Sequence, residues 1–356
     1  MKLTRYLYQN EDVKHSLIFC LLKKTTFDEC LFWVSEYYYS GYFKELWILI
    51  WKIYYDFYAI INPKLEKYIT KMQEKWVKKQ KIVYILHIIK NLYYIDKIDP
   101  IVFLVRMALE TQKVPSKSYR GRPPTWVSKI NKKHKNLLMS IHNKHYKNIA
   151  YYLRRFKNKE SELSSTILKY YTVSEPIYKS DYEDKLHILI GTLFHLSLEN
   201  INERNIYLQI TKEELKYATE TNTIQCRLHH VLKEKRLFKI RTETGCFQRY
   251  NSSFPSVQEI QWYHWEYFAY ETPLWKERFD KYKIKIDKEK FKLEFEILDE
   301  YEDFYEKYYY EPDEQSKEVQ ERSTSEIPEI SINDWLNNIF GEEVLFRLDN
   351  KNKYTY

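Results

Sequence analysis

Phe43-Lys44-Glu45-Leu46-Trp47-Ile48-Leu49-Ile50-Trp51-Lys52-Ile53-Tyr54-Tyr55-Asp56-Phe57-Tyr58-Ala59-Ile60-Ile61 is apolar nearly all round a helical wheel. A helix of that kind has no solvent face and belongs at the centre of a bundle. Asn62-Pro63 ends it, since Pro disfavours a helical residue before it. Amphipathic segments flank it on both sides. Asp12 is placed to cap a helix through His15, Ile18, Leu21 and Leu22. Thr26 and Glu29 form a capping-box pair that opens a helix running to Gly41. Further helices are predicted over Leu65–Lys79, Ile82–Tyr94 and Ile101–Leu109. Short joints between antiparallel helices predict a helical bundle or short solenoid over 1–110. The aromatics Phe32, Trp33, Trp47, Trp51, Tyr54, Tyr55, Phe57 and Tyr58 recur at helical spacing among Leu and Ile. Core packing explains that spacing better than a base-stacking platform does.

The chain has 356 residues, enough for two or three domains, and a formal charge of +8. Only 5 Gly and 10 Pro exclude collagen-like and flexible-linker classes, and five glycines argue against a phosphate-cradling loop. No apolar run is long enough to span a membrane, and the first residues do not read as a signal peptide. Four cysteines (Cys20, Cys30, Cys226, Cys246) suit a reducing, intracellular compartment.

The charge is unevenly spread. Segment 111–180 carries +13 and segment 291–356 carries −11; Thr111–Lys159 holds 14 Lys/Arg and no Asp or Glu. Solvated faces normally mix both signs. An unbroken cationic band therefore predicts an anionic partner, with DNA or RNA first, an anionic membrane surface second and the acidic tail third. Within it, Tyr119-Arg120-Gly121-Arg122-Pro123-Pro124 resembles the core of an AT-hook, whose Arg120 and Arg122 counterparts enter a narrow minor groove. A rigid basic turn is the plainer alternative. A helical hairpin is predicted over 111–160, with Lys129, Lys132, Lys133, Lys135, Lys144, Lys147, Arg154 and Arg155 off its apolar face as phosphate contacts.

Segment 181–250 reads as helix, short strand (Ile206, Leu208, Ile210), capped helix from Thr211 and Glu214, second helix near Thr223–Arg236, and a hairpin over Leu237–Tyr250. That order resembles a winged helix-turn-helix. Gln225, His229, His230 and Lys233 would face nucleic acid from its recognition helix, and Arg241, Gln248 and Arg249 from its wing. Many such modules contact only proteins, so both partners stay open. Cys226 and His229, with Cys246 and His264, have ligand chemistry, but only one side shows paired spacing, which disfavours zinc.

Residues 256–310 predict an aromatic and acidic α+β extension, with a strand at Phe291–Ile297 and a helix at Asp299–Tyr310. Residues 311–356 predict an acidic, largely disordered tail with a short helix near 331–346. Trp335, Leu336, Ile339 and Phe340 form one apolar face there, suited to a partner's groove or to the protein's own body.

Phe32–Gly41 with Tyr54–Tyr58, and Thr272–Arg278 with Phe304–Lys307 and Glu311-Pro312-Asp313-Glu314-Gln315, resemble an uncharacterised protein family of nucleocytoplasmic large DNA viruses. The resemblance implies a setting in the host cytoplasm, viral factory or virion, and no activity. No nucleotide, nucleophile-elbow or zinc-protease motif occurs. Contiguous carboxylates at Glu294, Glu296, Asp299, Glu300, Glu302 and Asp303 suit solvent better than a metal pair. The sequence thus predicts a mainly α, non-enzymatic nucleic-acid-binding factor without cofactor or metal. The alternative is a helical scaffold or virion protein that binds an acidic protein.

Overall fold

The apolar segment at 43–61 forms the helix α3 (Phe43–Ile53), which passes directly into a π-helical turn at Tyr54–Tyr58. Tyr54, Tyr55, Asp56, Phe57 and Tyr58 are all buried in this turn. The computed structural model describes residues 1–62, 64–109, 134–155, 207–220, 231–250, 255–308, 310–341, 348 and 354–356. Their architecture is mainly α-helical.

Around α3 lie α1 (Asn10–Lys23), α2 (Phe27–Tyr39), α4 (Leu65–Lys79), α5 (Val83–Tyr93) and α6 (Ile101–Leu109). Thr26 accepts from the Glu29 amide and caps α2. The Glu29 carboxylate leaves the expected capping box to bind Trp33 and Arg241 instead. Asp12 does not cap α1, which starts at Asn10 behind Gln9. Gly41 follows α2 at φ 92°, where a side chain would collide with Pro273 at 2.6 Å. Such a position favours glycine twice over, by backbone angle and by close approach.

Two short helices, α7 (Lys135–His142) and α8 (Tyr146–Arg154), pack on each other, and α8 packs on α6. Leu137, Leu138, Ile141, Ile149 and Leu153 are buried there. The helix α9 (Lys212–Glu220) carries the Thr211–Glu214 capping box. It is followed among the described residues by α10 (Val231–Lys235), α11 (Val257–Tyr263), α12 (Trp265–Tyr270) and α13 (Pro273–Phe279). An antiparallel hairpin, β1 (Ile284–Asp287) and β2 (Lys292–Phe295), pairs Ile284 with Phe295 and is the only sheet among the described residues. Then come α14 (Leu298–Tyr308), α15 (Lys317–Thr324) and α16 (Ile332–Phe340).

A single hydrophobic core joins the two ends of the chain. The first residues run along α12 and α13: Leu3 donates to the Phe268 carbonyl, Thr272 Oγ1 donates to the Leu3 carbonyl, and Trp275 Nε1 donates to the Thr4 carbonyl at 3.2 Å. Trp265, Trp275, Phe279, Phe304 and Tyr310 pack ring on ring beneath β2, with Phe279 and Phe304 centroids 4.5 Å apart.

Two expectations need correction. Segment 237–250 forms no hairpin; it runs irregularly around one turn of 3-10 helix at Thr242–Thr244. Likewise 207–210 is extended but joins no sheet. The tail expected to be largely disordered around a short helix near 331–346 contains a helix there, α16, and a further helix, α15, before it. Trp335 and Leu336 are fully buried, Trp335 lying 5.0 Å from Phe247 and 5.7 Å from Phe103. Ile339 and Phe340 pack half-buried on the same core. Of the two covers weighed for this apolar face, a partner's groove and the protein's own body, this chain supplies the second, and burying the face internally removes the same apolar area from water. No helix among the described residues is long and apolar enough to cross a membrane.

Candidate polyanion-binding surface

Of the sequence-predicted contacts, Arg120, Arg122, Lys129, Lys132, Lys133, Gln225, His229 and His230 lie outside the described residues. The AT-hook-like stretch and most of the expected recognition helix lie there too. Lys135, Lys144, Lys147, Arg154 and Arg155 sit on the α7–α8 pair, where residues 134–155 contain no carboxylate. Lys144, in the turn, reaches across to Asp99 at 2.5 Å. Arg155 stacks over the Tyr151 ring at 3.8 Å, and Lys147 lies by the Tyr146 ring. Lys233 is exposed on α10.

Arg241 and Arg249 require correction: neither stands on a wing. Arg249 holds Asp12 with two hydrogen bonds of 2.6 and 2.7 Å, and Arg241 holds Glu29 in the same forked manner. Both carboxylates are buried on the bundle helices. Arg5 with Glu36 and Arg106 with Asp56 complete a set of four. An arginine so engaged cannot also bind a phosphate without leaving a buried carboxylate unpaired, at a cost of about 3–5 kcal/mol. Burial raises the Asp12 carboxyl against the pull of Arg249. At Glu29 burial acts the same way, but hydrogen bonds from Arg241 and Trp33 win and lower it.

Of the residues weighed for zinc, Cys246 is buried and His264 Nδ1 pairs with the Phe291 carbonyl; Cys226 and His229 are outside the described residues. Among the acidic residues at 294–303, Asp303 accepts from the Tyr282 hydroxyl and Glu300 from the Lys283 amide.

The clearest site lies elsewhere, in a cleft of about 560 Å³ between α4, α5 and the extended residues 207–210. Helical spacing builds its cationic wall. Lys67, Lys71 and Lys75 recur every four residues and therefore share one face of α4, with Lys64 just before it. Neighbours at this spacing lie about 5–6 Å apart. All four are exposed. Among the described residues none of Lys67, Lys71 or Lys75 makes an ion pair and no carboxylate lines the cleft. Glu66, next in sequence, turns inward; burial pushes its carboxyl up to about 7. It therefore offsets the row weakly at neutral pH.

The other walls are apolar and aromatic. Tyr68 and Tyr207 stack with centroids 4.1 Å apart and planes 17° from parallel, and Met72 and Tyr84 continue the lining. The extended wall is fixed by α5. Asn91 takes the Leu208 amide and gives to the Leu208 carbonyl, both at 2.9 Å, as a neighbouring strand would. His87 Nδ1 accepts from the Ile210 amide at 2.9 Å. Burial first, then Lys75 and Lys90, lower the His87 pKa. The ring is thus neutral at pH 7, and with Nδ1 accepting, its proton sits on Nε2 as a donor. Lys90 anchors α9 through Glu214 at 2.7 Å.

No protein-family model, curated protein or solved structure matches the chain. The site must therefore be read from its own chemistry. The row at Lys64, Lys67, Lys71, Lys75 and Lys78 was visible in the sequence as a lysine period of three to four. It is masked in a segment charge by Glu66 and Glu74, and only the structure shows that Glu66 is buried. The Tyr68–Tyr207 stack had no such signal, because Tyr207 is far from α4 in sequence.

Proposed function

We propose that this protein is a non-enzymatic nucleic-acid-binding factor, serving transcription, replication or genome packaging in a giant virus. The observation that carries the proposal is the lysine row of α4. Three cations on one helix face, which among the described residues have no ion pair and share their cleft with no carboxylate, repel one another until an anion lies across them. The α7–α8 pair supports the same reading, since it adds Lys135, Lys147, Arg154 and Arg155 in a stretch free of Asp and Glu.

In this reading phosphate contacts supply affinity, and any base preference belongs to Gln225, His229, His230 and Lys233, which the sequence predicts on one helix near Thr223–Arg236. Arg241 and Arg249 take no part, being held by Glu29 and Asp12. Titration of the full chain with labelled duplex and single-stranded DNA over a range of salt tests the proposal. Binding should weaken steeply with salt. Absence of binding to either strand form at low salt would remove it.

A further inference from the structure

We infer that the cleft between α4, α5 and residues 207–210 binds a nucleobase together with its phosphates, and is not merely a phosphate-neutralising surface. The inference rests on the nucleic-acid reading above and names the ligand class of its site. Cations and rings line one space. Lys67, Lys71 and Lys75 come from α4 together with Tyr68, which Tyr207 of the extended segment covers, and Tyr84 comes from α5.

A double helix shows a protein its phosphates and groove edges, so an aromatic wall beside a lysine row would be wasted on it. An unpaired base with its phosphate offers both a ring face and an anion. A volume of about 560 Å³ lies inside the usual range for small-ligand sites, about 300–1,000 Å³. His87 and Gln209 add polar groups at the same lining, and a neutral His87 offers an Nε2 proton to a base or sugar oxygen. Asn91 fixes the aromatic wall before any ligand arrives, since it pins Leu208 beside Tyr207 through both backbone groups. A wall held in place in advance loses little ordering entropy on binding.

The ligand has two sources, a free nucleotide or a single strand, and both present the same chemistry. Calorimetric titration of the full chain with ATP and, separately, with inorganic tripolyphosphate tests whether the base is recognised. Anisotropy with a fluorescein-labelled oligothymidylate, followed by addition of ATP, separates the sources.

ATP or the oligothymidylate should bind at least tenfold more tightly than tripolyphosphate, charge for charge. Lys67→Gln with Lys71→Gln and Lys75→Gln should weaken that binding at least tenfold. These three side chains are exposed, so the variant should keep the wild-type circular dichroism. Lys285→Gln with Lys288→Gln, both exposed on the β1–β2 hairpin, should leave it unchanged. Mutual displacement assigns the site to a strand end or strand segment; ATP binding without displacement assigns it to free nucleotide. Tripolyphosphate binding as well as ATP and the oligothymidylate, or binding indifferent to the triple variant, overturns the inference. Duplex binding that persists in that case shows that only the ligand class was wrong. Loss of all nucleic-acid binding would instead strike the broader reading.

Discussion

Arg249 holds Asp12 across 237 residues of chain, one guanidinium nitrogen to each carboxylate oxygen, at 2.6 and 2.7 Å. The carboxylate is fully buried and the arginine nearly so. The pair fastens the segment after α10 to the first helix of the bundle. Replacing Arg249 by Leu strands a buried charge, and unfolding in urea should show a loss of about 3–5 kcal/mol. A loss below about 0.5 kcal/mol, with nucleic-acid affinity reduced instead, would return Arg249 to the binding surface.

Trp335 belongs to the core and not to an outside groove. It fills space between Phe103 and Phe247. Trp335→Ala should cost about 3–5 kcal/mol in the same assay. Removal of residues 317–356 should give a chain that aggregates or unfolds. A well-folded truncated protein of unchanged melting temperature would show that α15 and α16 are dispensable.

Glu66 should make stability fall as pH rises. Its folded pKa is raised to about 7, by burial first, from an ordinary value of 4.5. Between those values the folded chain holds a proton that the unfolded chain releases. The stabilisation is complete below about 4.5 and lost as pH passes 7. Glu66→Gln should therefore be more stable than the wild type at pH 8, by on the order of 2 kcal/mol, and nearly equal at pH 4. Parallel pH–stability curves for the two proteins would contradict this.

Asn91 sets the extended wall of the cleft. Asn91→Ala leaves the Leu208 amide and carbonyl without their side-chain partners. Hydrogen exchange at Leu208 and Ile210 should quicken at least tenfold, since losing a half-buried hydrogen bond costs about 1–3 kcal/mol. Unchanged exchange there would mean that α4 and α9 alone hold the segment.

How far the sequence carried these conclusions differs by feature. Helices were legible wherever apolar spacing was strong, as in α2, α3, α5 and α6, and so was the Thr211–Glu214 cap of α9. The role of arginines was not. Arg241 and Arg249 sit in a basic stretch that alternates like a hairpin, and nothing local reveals carboxylates on α1 and α2 more than two hundred residues away. The fate of the acidic tail turned on the same blindness. An apolar helix face looks alike in sequence whether its groove belongs to a partner or to Phe103 and Phe247. The cleft was half legible: its lysines have a period that also carries Tyr68, whereas Tyr207, which stacks on that ring, comes from a distant segment.

The slope of log affinity against log salt, measured for a single-stranded oligonucleotide with the wild type and the Lys67/Lys71/Lys75→Gln variant, is the most direct test. Each phosphate contact contributes about 0.7 to that slope for single strands. The lysine-row account predicts a variant slope shallower by about 2, with affinity at low salt reduced at least tenfold. Equal slopes for the two proteins would contradict it.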